Sequence, residues 1–356
     1  MKVPMRVFLK GLATAVPAHE LPQNLVLENA RRILGPHYAQ FERMAVTFQT
    51  SGVEKRYSFA PFDWFETPKN WPERNNLFLK GTKALFIEAA TAALGNAGLS
   101  AKQVDAIVTI CSTGIATPTI EALAWKEMGF RTDVHRIPVF GLGCAGGVSG
   151  LAIARAQAEV RPGSHVLMVA LEACTLSFRS DRLQKADIIA TVLFGDGAAA
   201  CVLSTEPGDE GNTRVTLGAG QEELWSDTLS IMGWDVDEAG LGVVFDRSIP
   251  AFTASYFAEA CDKALARGGR TRDDIVRFVC HPGGAKVVEA IETALDLKAG
   301  SLDAERSVLR DYGNMSAPTV LFVLQRFLDE RWEGQMMMCA FGPGFTASFL
   351  PLTVER

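Results

Sequence analysis

Three short segments carry side chains able to do chemistry: Leu142-Gly143-Cys144-Ala145-Gly146-Gly147, Val279-Cys280-His281-Pro282-Gly283-Gly284 and Asp311-Tyr312-Gly313-Asn314-Met315-Ser316-Ala317-Pro318. A Cys at a strand-to-helix turn faces the positive end of the helix, which lowers its pKa and raises the thiolate fraction that a nucleophile needs. His281 follows an apolar strand and precedes a Pro-Gly-Gly turn, so its imidazole is expected at a strand end, facing a cleft. Asn314 comes just before a helix whose first turn suits Pro318. Its amide is a neutral donor that polarises a carbonyl oxygen without adding a titrating proton. Singly, each has a plain structural alternative: a small buried thiol, a satisfied core imidazole, an Asn capping a helix. The chain has 5 His, so candidate bases are few; His19, His37 and His135 sit in polar, loop-like contexts and His165 opens a strand.

The elements that must position these groups alternate between β-branched apolar runs and Ala-rich helical stretches, the pattern of an α/β fold. Helices are expected at Thr82–Ala97, Gly147–Glu159, Ala251–Ala266, Ala285–Leu295 and Ala317–Glu330, and strands at Val104–Ile110, His165–Leu171, Ala198–Leu203, Ile275–Cys280 and Met336–Cys339. Phe194-Gly195-Asp196-Gly197 reads as a tight turn feeding a strand, with Asp196 as the turn former. The polar run Ser204 to Arg214 reads as a linker between two similar-sized halves.

The chain has 356 residues, 48% hydrophobic and 21% charged, with a formal net charge of −6. These values exclude global disorder and argue against nucleic acid or an anionic membrane as the main partner. An anionic substrate must then meet a local basic patch. No run reaches the ~18 apolar residues of a membrane span. The 7 Cys lack any Cys-x-x-Cys pair, which suits free thiols in a reducing compartment and no disulfide frame or zinc cage. Met1-Lys2-Val3-Pro4-Met5-Arg6 has no apolar signal core, so a cytoplasmic protein is expected.

The joint order Cys, His, Asn in these Gly-rich settings resembles the thiolase-fold condensing enzymes, and within them the type III polyketide synthases related to chalcone synthase. The resemblance covers nearly the whole chain. It includes Ala13-Thr14-Ala15-Val16-Pro17 with Gln23, Gly143-Cys144, Leu193-Phe194-Gly195-Asp196-Gly197-Ala198-Ala199-Ala200, His281-Pro282-Gly283-Gly284, Tyr312-Gly313-Asn314-Met315-Ser316 and Phe341-Gly342-Pro343-Gly344-Phe345. The rival is ketoacyl-ACP synthase III, which shares the Cys, His and Asn but usually has Gln-Ala-Asn after its His and Phe-Gly-Gly-Gly in the last loop. A catalytically silent thiolase-fold binding protein is the alternative from another class.

The resemblance implies a five-layer αβαβα thiolase fold and a homodimer. Residues 1–208 would form the half carrying the nucleophile, and 209–356 the half carrying His and Asn. It implies that Cys144 accepts an acyl group from acyl-CoA, that His281 holds the thiolate and that Asn314 shares the thioester oxygen during malonyl-CoA decarboxylation, with no cofactor beyond the CoA thioesters. Phe194 matches the family's gatekeeper Phe. Cavity positions carried over are Ser112, Cys174, Ser177, Trp234, Val243, Ser316 and Phe341, with Thr117 matching a Met that reaches into the neighbouring subunit. Small groups at Ser112, Cys174, Ser177 and Val243 open space and Trp234 closes some. Met232-Gly233-Trp234-Asp235-Val236 resembles bacterial members making alkylresorcinols or alkylpyrones from long fatty acyl-CoA. Arg43, Lys55, Arg56 and Lys286 are the candidates for CoA phosphates.

Overall fold

The computed structural model describes residues 5–182, 184–208 and 213–356. The first half runs β1 Val7–Ala15, β2 His19–Pro22, α1 Gln23–Leu34, α2 Phe41–Thr50, β3 Lys55–Ser58, α3 Trp71–Asn96, β4 Ala106–Ile110, α4 Ile120–Met128, β5 His135–Val139, α5 Gly146–Val160, β6 Val166–Ala173, α6 Lys185–Leu193 and β7 Asp196–Ser204. The second half runs β8 Arg214–Leu217, β9 Gln221–Leu224, β10 Met232–Asp237, β11 Gly240–Phe245, α7 Ile249–Arg267, β12 Arg277–Cys280, α8 Ala285–Ala294, α9 Asp303–Tyr312, α10 Thr319–Asp329, β13 Gly334–Gly342 and β14 Thr346–Glu355.

Strand alternation builds the layers. Met336 and Met338 of β13 face one core with Leu350 of β14, while Met337 and Cys339 face another with Phe349. Val108, Met168 and Cys201 likewise turn inward, and Ile107, Leu167 and Val202 turn to the opposite side. α5 and α10 occupy the middle core, α3 covers the outer face of β4, β6 and β7, and α7 with α8 cover the outer face of β12 to β14. This is helix, sheet, helices, sheet, helices. The sheet order is β12-β13-β14-β8-β1-β7-β6-β4-β5, with β9 added on β14. β1 pairs with β7 on one side and β8 on the other, so the two sheet regions are continuous around it.

Several boundaries differ from the sequence pattern. α3 begins at Trp71, not Thr82, because Asn70 and Glu73 exchange backbone–side-chain bonds of 2.9 Å in a capping box and Pro72 suits the first turn. Its first turn is mostly polar, but Leu77, Phe78 and Leu79 already pack on the core. α10 starts at Thr319 with Pro318 just before it. His19 and His135 open β2 and β5 and are not in loops. Asp196 is no turn former: it begins β7, is fully buried, and accepts from Phe59 N, Thr175 N and the Thr175 hydroxyl. In the expected linker, Ser204 ends β7 and Arg214 opens β8, while residues 209–212 lie outside the described residues. All seven thiols are buried and free. Among the described residues no helix is long and apolar enough to cross a membrane, and no cluster of acidic, Cys or His groups could hold a metal.

Glu305 of α9 is a buried carboxyl that secures the end of β12, its Oε1 accepting from Cys280 N at 2.9 Å. Burial pushes its pKa up to about 8 from an ordinary 4.5. Folding therefore favours the protonated form, and this stabilisation is complete below the ordinary pKa and lost as pH rises through about 8. Glu305→Gln keeps the acceptor and removes the titration. The wild type should lose on the order of 2–3 kcal/mol relative to this variant between about pH 5 and 7, read as diverging melting temperatures. Parallel curves would show that the carboxyl does not titrate with folding.

Candidate active site

Cys144 lies in one turn of 3-10 helix, Gly143–Ala145, that runs directly into α5. Gly143 takes φ +49°, and a Cβ there would stand 2.7 Å from Pro343 Cδ, so glycine lets this turn lie against the 342–345 loop. A Cβ on Gly147 would run into the Ala317 carbonyl oxygen. The start of α5 thus rests directly on the turn that carries Asn314. From the other side, Ser112 Oγ accepts from Gly141 N at 3.0 Å and Gly143 N at 3.3 Å, fixing the approach to the cysteine.

His281 follows β12, and its N–H donates to Cys339 O at 2.8 Å. The imidazole is buried and neither ring nitrogen has a hydrogen-bond partner. Asn314 is fully buried and joins three parts of the chain. Its backbone N–H donates to Leu193 O at 2.8 Å and its carbonyl accepts from Gly195 N at 3.0 Å, bridging it to Phe194. Its Nδ2 donates to Gly283 O at 3.2 Å, two residues past His281. Its Oδ1 accepts from Ser316 N at 2.8 Å and stands 4.0 Å from Cys144 Sγ. An amide nitrogen carries two N–H groups, so one remains to be given. Asn314 is not a helix cap, since α10 begins five residues on, at Thr319.

Burial holds His281 down to about 3 and pushes the Cys144 thiol up to about 11, against hydrogen bonding with Ser316 and Asn314 that lowers it. Burial thus opposes the lowering expected from the helix end. It therefore favours the neutral form of each group.

Cys144 opens on a cavity of about 40 Å³ lined by Ser112, Thr113, Cys174, Phe194, Trp234, Val243, Ser316 and Pro343, among others. Trp234 and Val243 face each other in register across the β10–β11 hairpin, and Trp234 Nε1 donates to Ser112 O at 2.7 Å. Phe194 and Cys174 also border a second, apolar pocket with Ser177 on its wall. Phe245 also borders a third cavity of about 510 Å³, which Lys185, Arg247 and Lys286 help to line.

Comparison with known proteins decides the family. The description "Chalcone and stilbene synthases, N-terminal domain" matches residues 6–207, and the corresponding C-terminal domain matches 217–354. The chain belongs to this family. It is a type III polyketide synthase, a decarboxylating acyltransferase with a thiolase-type α/β fold. A putative chalcone synthase of Bacillus subtilis is 30% identical over 361 residues, covering 98% of this chain and 99% of that protein. The 1,3,6,8-tetrahydroxynaphthalene synthase of Streptomyces peucetius is 33% identical over 346 residues, covering 95% and 91%. The crystal structure of the Streptomyces coelicolor enzyme of that name, described as a bacterial type III polyketide synthase, has a TM-score of 0.92 at 27% identity and covers 98% of this chain and 99% of that one.

Several residues of the synthase stand elsewhere than expected. Arg56 is fully buried, donates to Val192 O and touches the apolar pocket, so it offers nothing to a phosphate in solvent. Lys55 is spent on Glu20 at 2.8 Å across β2–β3. Arg43 is exposed on α2 beside Met44, which lines the large cavity; Lys286 is on its rim. Phe341 lines none of the three cavities: it stacks on Phe345 with centroids 5.2 Å apart in the core beneath α7. Thr117 is exposed and lines none of them either. Sequence reasoning missed Pro343, Thr113, Lys185, Arg247 and Glu172. The last is fully buried; its Oε2 accepts from Ser112 N and Thr113 Oγ1, and burial pushes it up to about 8. A Glu closing an otherwise apolar strand was the available signal.

Gly147→Ala forces a methyl against the Ala317 carbonyl and should destabilise the protein on the order of 2 kcal/mol. A thermal scan reads this. An unchanged midpoint would show that the two turns are not tightly packed.

Proposed function

We propose that this synthase loads a fatty acyl group from acyl-CoA onto Cys144, extends it with malonyl-CoA and releases the cyclised product as an alkylpyrone or alkylresorcinol. The shared wall supports the fatty starter: Phe194 and Cys174 border both the cavity at Cys144 and a pocket walled by Leu21, Val26, Ala30, Ile33, Phe62 and Phe65. An acyl group on Cys144 has an apolar space beside it, where each buried CH₂ contributes about 0.8 kcal/mol. On the opposite side Trp234 narrows the cavity, which disfavours a bulky aromatic starter.

In this reading the CoA phosphates meet Lys185, Arg247 and Lys286 at the rim, and the pantetheine arm passes Phe245. Cys144 Sγ attacks the thioester carbonyl while its proton passes to the neutral His281 imidazole and on to the departing CoA sulfur. Malonyl-CoA follows. Its bond to the carboxylate breaks, CO₂ leaves, and the electron pair moves to the thioester oxygen as an enolate. An N–H of His281 and the free Nδ2–H of Asn314 stabilise that oxygen. Phe194 presents an apolar face to the carboxylate and favours its loss. The enolate carbon then attacks the acyl carbonyl and breaks its bond to Sγ. The three groups require only the CoA thioesters, with no further cofactor.

We also read the enzyme as a homodimer in the cytoplasm. Among the described residues β5 is an edge of the sheet, Phe140 directly after it is 59% exposed and Ile115, in the segment after β4, is 55% exposed, a surface a second copy would cover. Thr117 stands on that same exposed segment.

Incubation with malonyl-CoA and a ladder of acyl-CoAs, read by mass spectrometry, tests the proposal. Long-chain pyrones or resorcinols and an acyl adduct lost in Cys144→Ala are expected. Cys174→Phe should shift the preference to shorter starters. Full turnover on malonyl-CoA alone, or a single condensation only, would overturn the starter assignment; an adduct persisting in Cys144→Ala would overturn the nucleophile. Asn314→Ala should slow decarboxylation ~10²–10³-fold while acyl loading is largely kept. Equal losses in both steps would make Asn314 a structural residue only.

A further inference from the structure

The apolar pocket has an inner end at Phe194 and Cys174 and an outer end where its lining reaches the surface. Asn29 and Ile33 of α1 and Phe62, Phe65 and Phe178 are all half-buried there. Its volume is about 60 Å³. At roughly 10–15 Å³ for each water-sized group, that is room for about four to six such groups. A longer acyl tail fills the pocket and presses on its outer wall.

That wall is a single turn of 3-10 helix, Phe62–Glu66, which contains no buried residue. Phe62, Trp64 and Phe65 are half-buried and pack on the neighbouring cores, so opening the turn parts partial contacts and no fully buried ones. Two further contacts hold the turn. Arg32 of α1 reaches Glu66 Oε1 at 2.6 Å and also donates to Asn29 Oδ1 at 2.9 Å, tying α1 to the turn. On the other side Phe65 packs edge-on against Phe178, with centroids 5.7 Å apart. Parting the Arg32–Glu66 pair would let the turn swing out and extend the pocket into solvent.

We propose that the Phe62–Glu66 turn is a movable wall of the acyl pocket, latched to α1 by Arg32 and Glu66, and that this latch limits the length of starter the enzyme accepts. The proposal rests on the fatty starter reading above. Both partners are outside the pocket lining, and their side chains are 55% and 44% exposed. The latch is therefore weak and sensitive to salt. A tail that needs the open form binds with its intrinsic affinity reduced by the open fraction, so releasing the latch tightens long-chain binding and leaves short-chain binding alone.

The test compares wild type with Glu66→Gln, Arg32→Gln and the charge swap Arg32→Glu/Glu66→Arg. Two readouts serve: binding of the fluorescent fatty acid cis-parinaric acid, and kcat/KM for hexanoyl-CoA against hexadecanoyl-CoA. Each single variant should bind parinarate about two- to fivefold more tightly and raise the long-to-short ratio by the same factor, the most an exposed ion pair supplies. The charge swap should return both towards wild type, and high salt should move wild type towards the variants. Unchanged parinarate affinity, or equal shifts for both chain lengths, would overturn the latch. Long acyl-CoAs consumed with identical profiles in all four proteins would remove the latch and keep the starter reading. Tighter parinarate binding with no turnover of any long acyl-CoA would keep the latch and remove the starter reading.

Discussion

Asn314 holds the site together. Its backbone is stitched to Leu193 and Gly195, its Nδ2 to Gly283, and its Oδ1 faces Ser316 N and the sulfur of Cys144. Turns far apart in sequence thus meet on one buried carboxamide. A buried amide left unpaired costs on the order of 1–3 kcal/mol, so each partner is held in place by the others. The close packing at Gly147 and Gly143 follows from the same demand, because α5 must approach this turn closely enough to set Cys144 beside it.

Low dielectric in this buried site shapes its chemistry. It raises Cys144 and lowers His281, whose ring nitrogens have no hydrogen-bond partner among the described residues, and so favours the neutral form of each. Neutral groups cost less to bury than an ion pair, and they can trade a proton when a thioester arrives. Glu172 behaves alike: it is tied by three donors from Ser112, Thr113 and Cys111 and is pushed towards its protonated form. The charges appear at the rim instead, where Lys185, Arg247 and Lys286 remain in water.

Much of this was legible in the sequence because the signals are local. Gly143-Cys144, His281-Pro282-Gly283-Gly284 and Gly313-Asn314 each mark a turn at the end of a regular element, and turns are where side chains leave the core. The αβ alternation likewise reads from period alone. What failed depends on burial that no local pattern reports. Arg56 follows Lys55 in an apparently basic surface run, yet the pleat of β3 turns one inward to Val192 O and the other outward to Glu20. Asp196 sits between glycines like a turn residue, but β7 starts there and three donors converge on it. Phe341 lies on β13 and packs into the core beneath α7, whereas Pro343, just past the end of the strand, lines the cavity.

The starter assignment depends on where the acyl chain lies. Its most direct measurement is an electron-density map of the enzyme trapped with a long-chain acyl group on Cys144. The expected density leaves the sulfur, passes between Phe194 and Cys174 and ends against Phe62 and Phe65. Density running instead towards Trp234 and Val243, or no acyl group on this sulfur, would contradict it.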